Sequence, residues 1–109
     1  MTMALTLVPL PTHHVALAAG DLAYHDVGPP DPRATAVFVP GYTGSKEDFG
    51  LVAAPIAEAG VRYVAIDQRG QFESVGPDDP AAYTVEGLAI ELVEFVETLG
   101  DGPVHVVGH

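Results

Sequence analysis

Three short stretches of the 109-residue chain combine glycine with groups able to hold or pass a proton. They are Val39-Pro40-Gly41-Tyr42-Thr43-Gly44-Ser45, Asp67-Gln68-Arg69-Gly70-Gln71-Phe72-Glu73-Ser74 and Asp101-Gly102-Pro103-Val104-His105-Val106-Val107-Gly108-His109. In the first, glycine lets the backbone turn so that a main-chain N–H, that of Tyr42, points into a cleft as half of an oxyanion hole. A Pro-Gly turn leading into a capped helix accounts for the same residues without chemistry. In the second, Asp67 and Arg69 read as groups that pair or hydrogen-bond to hold a tight loop rather than perform catalysis, so removing Arg69 is expected to lower stability more than a catalytic rate. The third ends in Gly108-His109, the opening of a nucleophile elbow G-x-S-x-G of which only the G-x is present; taken alone it fits any strand end.

These stretches need elements to hold them. His14 to Val27 carries two β-prone runs about the turn dipeptide Gly20-Asp21, which predicts an antiparallel hairpin. Residues 28 to 33, GPPDPR, form a loop. Ala34 to Pro40 is a continuous apolar run, as expected of a strand buried on both faces of a parallel sheet. Ser45 and Asp48 have capping-box spacing, Pro55 suits the first position of a helix, and Gly60 suits its end. A strand follows over residues 62 to 66, then a polar loop over 67 to 83 whose length invites a functional role. Thr84 reads as an N-cap, with Val85, Leu88, Ala89, Leu92, Val96 and Leu99 on the inner face, Glu91, Glu94 and Glu97 on the solvated one, and Gly100 as the stop. PVHVVGH begins a further buried strand. The order, hairpin then β-α-β-α-β, implies an α/β fold with a mostly parallel sheet and flanking helices.

Composition narrows the function. Four Lys+Arg against fifteen Asp+Glu give a formal net charge of −11, which repels phosphate backbones and anionic head groups and so excludes nucleic acid and membrane surfaces as partners. The chain has no cysteine, hence no disulfide, thiolate zinc site or cysteine nucleophile, and fits a cytoplasmic setting. The opening MTMALTLVPL lacks a basic n-region and reads as a mature N-terminus. No strand is followed by the G-x-G-x-x-G of a dinucleotide site, and neither a metal nor a cofactor is expected.

Taken in order, the three stretches resemble the α/β-hydrolase superfamily, whose members show His-Gly-x, Asp-x-Arg-Gly-x-Gly-x-Ser and Gly-His-Ser-x-Gly at the corresponding strand ends. The resemblance runs from His14 to His109 and departs at Pro40, in place of histidine, and at Phe72, in place of the second loop glycine. The latter predicts a loop that takes a different path, with Phe72 or Gln71 at the cleft wall, or a mobile loop.

The resemblance implies that residues 1–109 are the N-terminal part of a single α/β-hydrolase domain, incomplete in this chain, acting on a small-molecule substrate. It implies a small carboxylic ester or amide, cleaved by a serine with an acid and a histidine that all lie beyond residue 109. It assigns the oxyanion hole to the Tyr42 N–H, the flank of the nucleophile to His109, and substrate contact to Gly41, Tyr42, Thr43 and Phe72. His13, His14, His25, His105 and His109 itself all fall before the nucleophile, so none of the five is a good candidate for the base. The remaining C-terminal part, as a continuation or a second chain, is the expected partner, and the segment alone is expected to be inactive and not to unfold cooperatively. The alternative is a binding or receptor-like protein that keeps the fold without the nucleophile.

Overall fold

The computed structural model describes residues 9–109 apart from residue 101, so most of the opening MTMALTLVPL lies outside the described residues. Five strands form one sheet: β1 (His13–Leu17), β2 (Gly20–Val27), β3 (Ala34–Val39), β4 (Val61–Ile66) and β5 (Val104–Gly108), in the order β1-β2-β4-β3-β5. β3 runs parallel to β4 and β5, while the β1–β2 hairpin joins β4 antiparallel. The hairpin forms as expected, but its two-residue loop is Ala18-Ala19; Gly20 and Asp21 already belong to β2, and Gly20 takes a φ of +128° that suits glycine.

The continuous apolar runs behave as two-faced strands. On β3, Val37 joins Leu22, Val64, Ile66 and Phe95 on one side of the sheet, and Phe38 joins Ala53, Tyr63 and Ala65 on the other. Helix α1 (Gly50–Glu58) covers the second side and α2 (Val85–Glu97) the first. Phe95 is fully buried, and a ring of that size contributes about 1.5–3 kcal/mol by transfer from water alone. β5 differs from the buried strand expected: among the described residues it pairs with β3 alone, and Val106 and Val107 are 53% and 41% exposed.

Both helices correct the sequence reading. A 3-10 turn over Lys46–Phe49 runs straight into α1, with the Ser45 N–H donating to the Asp48 carboxylate at 3.2 Å, so Pro55 is the sixth residue of α1 rather than its first. The ring costs the helix one N–H, the one that would bond to the Leu51 carbonyl. α2 starts where expected, with Thr84 Oγ1 accepting from the Gly87 N–H at 3.0 Å. Its buried stripe is Leu88, Glu91, Leu92, Phe95, Val96 and Leu99, whereas Val85 is 85% exposed and Ala89 is exposed too. Glu91 is buried and Glu94 accepts from the Ala18 N–H at 3.2 Å; of the three glutamates placed in solvent, Glu97 alone is exposed. A carboxylate occupies a position of the inward stripe because an arginine waits for it there. No helix among the described residues is long and apolar enough to cross a membrane.

Candidate functional site

The register of the parallel strands, Val39 opposite Gly108 and Phe38 opposite Ala65, brings Pro40, Asp67 and His109 out side by side at one edge of the sheet. All three sequence stretches therefore meet at the carboxyl ends of the strands, where open α/β sheets bind ligands.

The root of this edge is charged and buried at its centre. Lys46 and Asp67 are both fully buried. Asp67 Oδ1 accepts from the Lys46 main-chain N–H at 2.8 Å, and Oδ2 accepts from Lys46 Nζ at 2.7 Å and from the Glu73 N–H at 3.1 Å. One carboxylate thus ties the loop after β3 to the loop after β4. Lys46 Nζ also donates to Glu73 at 2.7 Å and Glu47 at 3.1 Å, and stands 4.9 Å from the centre of the Phe72 ring. Burial disfavours the Lys46 charge, but its hydrogen bonds to Asp67, Glu73 and Glu47 outweigh this and hold its pKa above the usual range. The Lys46 hydrogen bond, with Thr12 behind it, draws the Glu73 pKa down. Glu47, Asp67 and Glu73 bring ligand atoms within 4.8 Å of one another, as a metal site would, yet it is the Lys46 ammonium that all three share. His25 lies behind them, with Nε2 3.4 Å from Glu47; burial pushes its pKa down, which keeps the ring neutral at pH 7.

Of the two arrangements expected for Asp67 and Arg69, pairing with each other does not occur, and each hydrogen-bonds elsewhere to hold the loop. Arg69 turns the other way, its Nε donating to Glu91 at 3.2 Å and its two terminal nitrogens to the carbonyls of Ala82 at 2.9 Å and Gly87 at 2.8 Å. Its role is nonetheless the structural one expected, holding the loop onto α2. Ser74 completes the anchoring by donating to the Asp67 carbonyl at 2.6 Å and accepting from the Ala23 N–H at 2.8 Å. The loop is therefore fixed at both ends rather than free.

The lip of the edge is neutral and open. Gly41, Tyr42, Gln68, Gln71, Tyr83 and His109 line a cleft of about 730 Å³. Thr43 lies outside it, on an adjoining hollow of about 310 Å³ shared with Gly41, Tyr42 and His109. Phe72 is not part of the wall: it is 73% exposed, with a φ of +27° that side chains rarely adopt, and its ring lies under Lys46. Gln71 takes the wall position instead. A β-carbon on Gly41 would stand 3.2 Å from the His109 carbonyl oxygen, a tight contact, so glycine eases the approach of the two strand ends. Gly70 is constrained as well, by a φ of +76° and by the Tyr83 hydroxyl that a β-carbon would meet. Gln71 is one of the two residues expected at the cleft wall, whereas Lys46, Gln68 and Tyr83 were not legible as site residues. Their one local trace is the pair of glutamines spaced three apart around Arg69-Gly70.

A sequence model of the alpha/beta hydrolase family matches residues 36–109. The "Putative carbamate hydrolase RutD" of Stutzerimonas stutzeri (strain A1501) is 32% identical over 79 residues, 72% of this chain and 29% of that protein. Among solved structures, a thioesterase domain from the curacin biosynthetic pathway superposes with a TM-score of 0.84 at 20% identity, over 94% of this chain and 36% of that one. A "probable hydrolytic enzyme" of Pseudomonas aeruginosa PAO1 superposes with a TM-score of 0.81 at 28% identity, over 92% of this chain and 33% of that one. The chain spans about a third of the length of the proteins it matches.

Proposed function

The chain belongs to the alpha/beta hydrolase family, and from that premise we propose that it supplies the oxyanion-hole side of a serine hydrolase whose nucleophile follows His109. The observation that carries this reading is the close approach of Gly41 and His109 at the mouth of one cleft of about 730 Å³, where a β-carbon on Gly41 would stand 3.2 Å from the His109 carbonyl oxygen. A serine on the turn after β5 would stand beside the Gly41–Tyr42 peptide. It would attack an acyl carbonyl while a histidine takes its proton and an acid orients that histidine. The carbonyl oxygen gains negative charge as the tetrahedral intermediate forms, and the Tyr42 N–H donates to it; a donor of this kind is worth about 3–4 kcal/mol of transition-state stabilisation.

The substrate is a small ester or amide. The name of the Stutzerimonas stutzeri relative supports adding a carbamate, which presents the same carbonyl to the nucleophile. The catalytic serine, acid and histidine, together with the rest of the cleft, belong to the remaining part of the domain, the partner this segment needs for activity. A formal charge of −11 argues against nucleic acid or an anionic membrane as the target, and the lack of cysteine favours a cytoplasmic enzyme.

The test is hydrolysis of short p-nitrophenyl esters by the complete enzyme, abolished by a serine-directed phosphonate. Inertness towards both, or a residue after His109 that cannot act as a nucleophile, would sink the proposal and leave the binding-protein alternative.

A further inference from the structure

The Gly41–Tyr42 peptide is trans, so its carbonyl and its N–H point in opposite directions. Whatever holds the carbonyl therefore aims the N–H. Two donors hold the Gly41 carbonyl, Gln71 Nε2 at 2.8 Å and the Gly44 N–H at 3.0 Å. One residue earlier, the Pro40 carbonyl accepts from Gln68 Nε2 at 3.0 Å. The two glutamines are interlocked, because Gln71 Oε1 accepts from the Gln68 main-chain N–H at 2.9 Å and the Gln71 N–H donates to the Gln68 carbonyl at 2.9 Å. An amide whose oxygen faces a main-chain donor can offer only its NH₂ to Gly41, so the hydrogen-bond chemistry itself fixes which way Gln71 faces.

We infer that Gln71 is a positioning residue of the oxyanion hole: its side-chain amide holds the Gly41 carbonyl against the loop after β4 and thereby turns the Tyr42 N–H into the cleft beside His109. This rests on the serine-hydrolase reading above. The physical reason is preorganisation. A main-chain donor stabilises developing charge only if it is already aimed there, since a peptide that must rotate during the reaction loses part of the benefit. The Gly44 N–H comes from the same turn as Gly41 and would travel with it, whereas Gln71 belongs to a loop fixed by Asp67, Ser74 and Arg69 to the sheet and to α2.

The experiment compares wild type, Gln71→Glu and Gln71→Met in the complete enzyme. Glutamate keeps the oxygen that receives the Gln68 N–H but loses the donor to Gly41 and sets a charge against that carbonyl. Methionine keeps the length and has neither group. Both are expected to lower kcat by roughly 10- to 100-fold, less than the loss of an oxyanion donor outright, with KM for p-nitrophenyl butyrate nearly unchanged. Affinity for phenylboronic acid, a tetrahedral mimic, should fall by the same factor as kcat/KM. A merely structural glutamine predicts the opposite pattern, with Gln71→Glu close to wild type and activity following the loss in Tm, and that result would overturn the inference. Should wild type neither hydrolyse the ester nor bind the boronate, the hydrolase reading fails by itself. Crystal structures of wild type and Gln71→Glu then decide the positioning role: a rotated Gly41–Tyr42 peptide supports it, and an unmoved one overturns it.

Discussion

Lys46 and Tyr42 stand four residues apart in one loop, yet Lys46 is fully buried among three carboxylates and Tyr42 is 96% exposed at the mouth of the cleft. The first region is charged, buried at its centre and held by side chains. The second is open and presents main chain. The contrast teaches how a short loop serves two purposes: an ion cluster at its root fixes where it starts, and at its tip the side chains of Gln68 and Gln71 hold the Pro40 and Gly41 carbonyls so that a peptide group is offered to the cleft.

The largest expected effect lies at the root. Lys46→Met removes the one cation shared by Glu47, Asp67 and Glu73 and leaves buried Asp67 uncompensated, which should cost about 3–5 kcal/mol in denaturant unfolding of the complete enzyme. A loss below about 1 kcal/mol would show that the two regions are not divided as described. At the tip, Tyr42→Pro deletes the N–H and should lower kcat by about 10²- to 10³-fold, while Tyr42→Ala, which removes only the exposed side chain, should leave kcat within a few-fold. Equal losses in the two variants would place the function in the phenol instead.

Arg69 belongs with the root although it borders the cleft. Arg69→Ala strands the buried Glu91 carboxylate and should cost about 2–4 kcal/mol of stability, with a smaller effect on kcat; kinetics showing the reverse would move Arg69 to the tip. The smallest effect is a pH dependence. Glu73 has its pKa lowered in the folded state, so its contribution is present above the ordinary value of 4.5 and is lost as pH falls through the lowered one. Lys46 has the opposite sign: its contribution is present below the ordinary 10.5 and is lost as pH rises through the raised value. Tm measured against pH should therefore fall less steeply in acid for Glu73→Gln than for wild type, and parallel curves would remove Glu73 from the cluster.

Much of this frame is legible without coordinates. The hairpin, the three apolar strands and the Thr84 cap follow from patterns that span a few residues. Gly41 could be singled out only together with the other two stretches, because a Pro-Gly turn accounts for it when taken alone. The errors fell where a local pattern met a distant partner. Glu91, Glu94 and Glu97 look alike on a helical wheel, and only the position of Arg69, 22 residues from Glu91, turns the first of them inward. Pro55 marks a helix start by propensity, but Ser45 and Asp48 had already started it.

What the sequence by itself determined is the order of strands and helices and the three glycine-bearing stretches at their ends, because hydrophobic period and turn chemistry act within about ten residues. What only the tertiary structure decided is who pairs with whom at the edge they share: Lys46 with Asp67 across 21 residues, Arg69 with Glu91 rather than Asp67, and Gln71 with the Gly41 carbonyl across 30. With fifteen acidic residues and four basic ones, composition leaves those pairings open, and strand register closes them by setting which ends meet.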